Sequence, residues 1–243
     1  MADTATPIPH EPPAAAHVYS WVRNAIANGR LIAGERYSIY WLAEETGYSR
    51  TPVREAILRL AQLGIVDIER NRGFIVRRLT IEEVRANYEA RLLLEVPGAR
   101  AAARRADPSL TGELYVLLKR MDELLEQGDS AAQLEWDRTL HAQILGAGEN
   151  SRVSAFASTL RDASVQTWEL YRHNTAQDRH RNHQQHYDIV DAIAAGDAEA
   201  AGRAMQRHLE TTALTLMRHV AKQEGLEVPA EFTGRLRPYP DQD

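Results

Sequence analysis

The sequence predicts a mainly α-helical protein in two parts: a small N-terminal module of three helices and one β-hairpin, then an all-α bundle of about six helices. Three observations carry that reading. Apolar residues recur at helical spacing through most of residues 17–224, strand-like alternation is confined to residues 65–77, and the charge divides at the same place. Residues 17–78 hold ten arginines against six carboxylates, a balance of +4, whereas residues 79–243 hold 19 basic against 26 acidic side chains, a balance of -7. A basic segment hidden in a chain of net charge -5 is a footprint of nucleic-acid binding.

Each element follows in order. Residues 1–16 carry four prolines and no apolar face, and are expected to be a disordered arm. From His17, the residues Val18, Trp21, Val22, Ala25 and Ile26 share a helical face as far as Gly29. Ile39–Glu45 is a short helix stopped by Gly47, and Thr51–Leu63 a second one stopped by Gly64. Pro52 sits in the first turn of the latter, where a missing N–H costs nothing. Ile65–Glu69 and Phe74–Arg77 alternate apolar and polar residues around the turn-like Arg70-Asn71-Arg72-Gly73. Three helices followed by a hairpin within residues 17–78 outline a winged helix-turn-helix.

Beyond Leu79 the strand signal ends. Thr80 caps a helical run to about Ala106, with Glu82 and Glu83 in its first turn and Pro97 expected to kink or divide it. Asp107-Pro108 opens a helix ending at Gly128, Asp129 one ending near Gly146, and Asn150 one reaching about His173. Ala176–Ala195 is the next, and Asp197 caps a last helix to about Glu224. The resulting domains are the arm, a DNA-binding domain at 17–78, a helical effector-binding and dimerisation domain at 79–224, and a tail at 225–243 expected to be disordered.

Composition removes several functions. The chain has no cysteine, which excludes disulfides, thiolate catalysis and every cysteine-ligated zinc or iron-sulfur site. No apolar run approaches the ~18 residues of a membrane span, and the N-terminus lacks a basic region followed by an apolar core, so a cytoplasmic protein without a membrane partner is expected.

In a helix-turn-helix the N-terminal residues of the second helix reach base edges in the major groove. Here those residues are Arg50, Thr51 and Arg54: arginine suits a bidentate grip on guanine, and Ser or Thr can donate to phosphates. Arg70, Arg72 and Gly73 at the hairpin tip form a small cationic finger. A solvated arginine face is the competing explanation. The run SRTPVREAILRLAQLGIVDIERNRGFIV at 49–76 closely resembles the DNA-binding domain of the GntR superfamily of bacterial transcription regulators, and GERYSIYWLAEETGY at 34–48 fits more loosely. That resemblance implies that Arg50, Thr51 and Arg54 contact double-stranded operator DNA, helped by Ser49, with Arg70, Arg72 and Gly73 at the wing tip. Ile39, Tyr40 and Trp41 depart from it, standing where polar or acidic residues are usual.

In the acidic part, Asp137 and His141 are spaced i, i+4 on a helix face shared with Leu134, Leu140, Ile144 and Leu145. His186 is in step with Ile189, Val190 and Ile193, and His208 with Ala201, Ala204, Met205 and Thr212. Inward polar groups need partners, and one Asp with three His suits a divalent transition metal: zinc first, nickel or manganese as alternatives. Hydrogen-bonded core histidines, or a simple Asp137–His141 pair, would answer the same pattern. His173, His180 and His183 read as a solvated face. The pieces Arg91-x-x-x-Glu95, Asp137-x-x-x-His141, Gly148-x-Asn150, His186-x-x-Ile189 with AIAAGDAEAA, and Met205-x-x-His208-Leu209 resemble the ligand-binding FCD-type domain of the FadR-like branch. The resemblance implies one divalent cation on Asp137, His141, His186 and His208. It also implies a small organic acid effector beside the cation, with Arg91 as a second contact unless Arg91 only pairs with Glu95.

The function expected is a homodimeric, metal-containing transcription regulator whose operator binding responds to that acid. Two alternatives stand beside it: a DNA-binding protein whose metal is purely structural, and a metalloenzyme with open metal positions for water.

Overall fold

The computed structural model describes residues 14–105, 107–163, 176–227 and 230–232. The expected arm at 1–13, the helix end at 164–173 and most of the tail lie outside them; Ala14 to Ala16 are already helical. The chain divides into two compact units, one formed by residues up to Ile26 with Arg30–Arg77, the other by Ala27–Gly29 with Arg78 onward.

The first unit contains α1 (Ala14–Ala27), β1 (Arg36–Tyr37), α2 (Ile39–Thr46), α3 (Arg50–Gln62), β2 (Val66–Glu69) and β3 (Gly73–Val76). Ser38 caps α2 by accepting from the Trp41 N–H at 3.0 Å, and Gly47 ends it in the left-handed conformation at φ +72°. Val18, Val22 and Ile26 of α1 are buried, as are Leu42, Val53, Ile57, Leu60, Phe74 and Val76. The sheet has the order β1-β3-β2 with antiparallel pairing, Ile68 opposite Phe74 and Tyr37 opposite Phe74 on the other edge. The strand β1 was not expected; two residues give no period to read, and their pairing is set by β3. Gly73 holds this corner at φ +108°, and a Cβ there would meet the Tyr37 carbonyl oxygen at 2.1 Å.

The second unit is a bundle of α4 (Ile81–Arg105), α5 (Pro108–Gln127), α6 (Ser130–Gly146), α7 (Ser151–Ala163), α8 (Ala176–Ala194) and α9 (Ala198–Glu224). α9 packs along α4 and α8, and α5 packs on α6 and α8. The expected caps are present. The Thr80 hydroxyl accepts from the Glu83 N–H while the Glu83 carboxylate accepts from the Thr80 N–H, a reciprocal capping box. Asp107, Asp129 and Asp197 each accept a backbone N–H at the starts of α5, α6 and α9, and Asn150 does so for α7.

Pro97 does not divide α4, which is one helix of 25 residues. The hydrogen bond that Pro97 cannot donate would go to the carbonyl of Leu93, an exposed residue, while Val96 and Ala99 are buried in the bundle. The next residue, Gly98, lets Leu145 of α6 approach closely, since a Cβ there would lie 2.5 Å from the leucine Cδ2. Tertiary packing on both sides of the proline outweighs the break.

Candidate functional site

The N-terminal turns of α3 present Ser49, Arg50, Thr51 and Arg54, all exposed, while Val53, Ala56, Ile57 and Leu60 of the same helix are buried. This split follows from helical period alone. Ser49 has extended N-cap geometry, φ -67° and ψ 162°, but makes no side-chain capping bond, so its hydroxyl is not committed to its own helix. Arg50 donates a hydrogen bond to Tyr40 of α2. Arg70 and Arg72 project from the exposed hairpin tip, and Gly73, half-buried beneath them, is the backbone corner that holds the tip in place.

The bundle brings Asp137, His141, His186 and His208 together, with one ligand atom from each lying within 4.8 Å of the others. α6 supplies the first two, α8 the third and α9 the fourth. The three imidazoles are buried, with ring centroids 4.2 Å apart for His186 and His208, 5.3 Å for His141 and His208, and 5.4 Å for His141 and His186.

Each ring is oriented by what lies behind it. His141 Nδ1 is 2.7 Å from Glu95 Oε2, and His186 Nδ1 is 3.3 Å from the carbonyl oxygen of His183. Both partners only accept, so each Nδ1 carries a proton, and in the neutral ring Nε2 is left to present a lone pair. Among the described residues neither Nε2 has a hydrogen-bond partner, nor does His208 Nδ1. His186 Nε2 lies 2.9 Å from Asp137 Oδ1 without forming a hydrogen bond, and His141 Nε2 lies 3.8 Å from the same oxygen. Lone pairs converging on a carboxylate repel one another unless a cation sits between them, so the donor set fits a divalent metal with nitrogen and oxygen ligands.

Protonation states agree with that fit. Burial, then the Arg161 guanidinium, pushes His141 down to about 4. Burial and the neighbouring His186 and His141 rings hold His208 well below the usual imidazole range. Burial alone would raise the Asp137 carboxyl, yet His141, His186 and Arg161 together hold it well below the carboxylate range. Neutral imidazoles and an ionised carboxylate are the forms that ligate metals.

Two residues behind the ligands escaped the sequence reading in part or whole. Glu95 is fully buried and accepts from Arg91 at 2.6 Å, from Arg161 and from His141. Burial pushes its carboxyl up, but Arg161, Arg91 and His141 hold it well below the usual range. Arg161, 7% exposed, also donates to Asp137 Oδ2 at 3.1 Å. It falls one turn after the buried Ala157 on α7, a spacing that does not by itself distinguish a buried arginine from a solvated one. Arg91 pairs with Glu95 and lies over the Tyr88 ring at 4.5 Å.

His183 corrects an expectation. It is buried rather than solvated, with Nε2 2.6 Å from Asp122 Oδ1 of α5, and Tyr187 donates to the other oxygen of the same carboxylate. His180 is exposed as expected, and His173 lies outside the described residues.

The FCD domain family matches residues 86–211, about half of the chain, and the family described as bacterial regulatory proteins, gntR family, matches residues 14–76. The "Nta operon transcriptional regulator" of Aminobacter aminovorans is 29% identical over 183 residues, covering 73% of this chain and 82% of its own. The "Probable D-xylose utilization operon transcriptional repressor" of Paenarthrobacter nicotinovorans is 29% identical over 195 residues, covering 80% and 85%. Among solved structures, E. coli McbR/YncC superposes with a TM-score of 0.73 at 21% identity, over 82% of this chain and 94% of that one. A GntR regulator from Rhodococcus sp. RHA1 superposes with a TM-score of 0.70 at 24% identity, over 85% and 98%. At these identities the structures share the fold; the relatives are transcription regulators, not enzymes. No helix among the described residues is long and apolar enough to cross a membrane. With a gntR-family helix-turn-helix region followed by an FCD domain, the chain belongs to the GntR family of DNA-binding bacterial transcription regulators.

Proposed function

We propose that this regulator acts in the cytoplasm as a homodimer, and that a small organic acid bound beside a divalent metal in the α4–α9 bundle sets its affinity for operator DNA. Operator contact falls to Arg50, Thr51 and Arg54 of α3, assisted by Ser49, with Arg70 and Arg72 at a wing tip shaped by Gly73. Two such basic modules related by a two-fold axis read a palindromic operator.

Asp137, His141, His186 and His208 are the residues that would hold the metal. The single observation that carries the reading is the convergence within 4.8 Å of one donor atom from each, with the three imidazoles buried and each keeping an unpartnered ring nitrogen. Such an ion supplies a fixed positive charge and a Lewis-acid anchor for a carboxylate. The protein's part is to aim the imidazoles, through Glu95 behind His141 and the His183 carbonyl behind His186, while burial and the Arg161 guanidinium keep His141 neutral against the pull of Glu95. Arg91 uses Nε on Glu95, so its terminal nitrogens are the ones an acid would meet. For the acid to alter DNA affinity, it must bind the DNA-competent and incompetent arrangements unequally.

Metal analysis of the purified protein tests the ligand set. One equivalent of zinc, nickel or manganese per chain is expected, together with its loss in His141→Ala. Unchanged metal content in that variant contradicts the assignment. Metal without any effect of carboxylates on operator binding favours a structural ion instead.

A further inference from the structure

We infer that Tyr40 is a positioning residue for operator reading, which holds the Arg50 guanidinium preset at the start of α3; this rests on the proposed role of Arg50 in contacting DNA. The starting point is the unusual run Ile39-Tyr40-Trp41 in α2. Trp41 belongs to the packing of the module, its ring 5.3 Å from Tyr37 and 6.4 Å from Trp21, and Ile39 is half-buried. Tyr40 does something else. Its side chain is 64% exposed, so it adds little to the core.

The Tyr40 ring supports Arg50. The guanidinium carbon lies 4.9 Å from the ring centroid, and Nη1 donates to the phenolic oxygen at 2.6 Å. One contact sets the distance of the planar group and the other sets its rotation, so together they restrict an otherwise freely turning side chain. Neither contact consumes the charge. Among the described residues no carboxylate pairs with Arg50, and one of its five N–H donors is engaged, leaving four for a bidentate grip on a guanine edge or a phosphate. Of the two arginines at the start of α3 assigned to the operator, Arg50 and Arg54, only Arg50 lies over a ring among the described residues. Ordering a long side chain before binding reduces the entropy lost on binding, which raises affinity without any new contact to DNA.

The test uses the full-length protein and a duplex enriched by it from a random double-stranded pool, with a scrambled duplex as control. Tyr40→Ala should weaken binding to the enriched duplex by about three- to tenfold. Binding to the scrambled duplex should stay unchanged, because that affinity depends on charge, which the variant keeps. On an Arg50→Ala background, Tyr40→Ala should cost nothing further. Tyr40→Phe, a minimal change at an exposed position, should fall between wild type and Tyr40→Ala because the ring remains. A harmless Arg50→Ala overturns both the operator-contact reading and this inference. A costly Arg50→Ala with Tyr40→Ala equal to wild type overturns the inference alone, as does an equal Tyr40→Ala penalty with and without Arg50.

Discussion

Glu95 accepts hydrogen bonds from Arg91, Arg161 and His141 at once, so one buried carboxylate sets the position of three other side chains. Glu95→Gln removes the charge that those cations balance, and breaking a buried pair of this kind costs about 3–5 kcal/mol of stability. It should also lower metal affinity by about 10–100-fold, measured by chelator competition, because the His141 ring loses its anionic support. Acid should act on the same residues. His141 titrates near 4 in the fold against an ordinary 6.5, so falling pH protonates the unfolded chain first. The stability that His141 contributes is complete above about pH 6.5 and is lost as pH falls toward 4. Asp137 and Glu95, also depressed, add losses of the same sign at lower pH. The melting temperature of the metal-free protein should therefore fall steadily from pH 7 to 4; a flat or rising profile contradicts this assignment of charges. The four residues of the candidate metal site were readable because each keeps step with apolar neighbours on its helix. Arg161 and His183 were not, because a single arginine or a His in an Arg/Gln-rich stretch has the same sequence pattern whether it faces water or a buried carboxylate.

The helices announce their own ends: Asp107 and Gly128 bracket α5, Asp129 starts α6, and Asp197 and Gly225 bracket α9, each by a side-chain cap or a left-handed turn. α6 carries both Asp137 and His141, so its cap bears on the site. Asp129→Ala should destabilise the bundle by about 1 kcal/mol, read from denaturant unfolding. Where the sequence misled, contacts from other elements decided the outcome. Pro97 was expected to kink or divide α4, but packing against α6 keeps it one helix. The strand β1 owes its existence to β3 and to the close approach of Gly73 to Tyr37. Gly73→Ala should therefore distort the wing at a cost of about 1–3 kcal/mol, detected as a lower melting temperature.

Across the whole molecule, the charge division has become a division of labour. The excess of arginine belongs to the unit built on α1 to β3, and the carboxylate excess to the helical unit, whose buried polar residues converge on four metal-competent side chains. The absence of cysteine leaves histidine and carboxylate as the ligands available to it. What unites the two units in the account is a coupling free energy, typically about 1–3 kcal/mol in such systems, or about 5–150-fold in affinity. The most direct test is the operator-binding isotherm of metal-loaded protein, recorded with and without members of a panel of small carboxylates, for wild type and His141→Ala. At least one acid is expected to shift the wild-type affinity within that range and to leave the variant unmoved. An operator affinity indifferent to every acid in the panel, or shifted equally in both proteins, would contradict it.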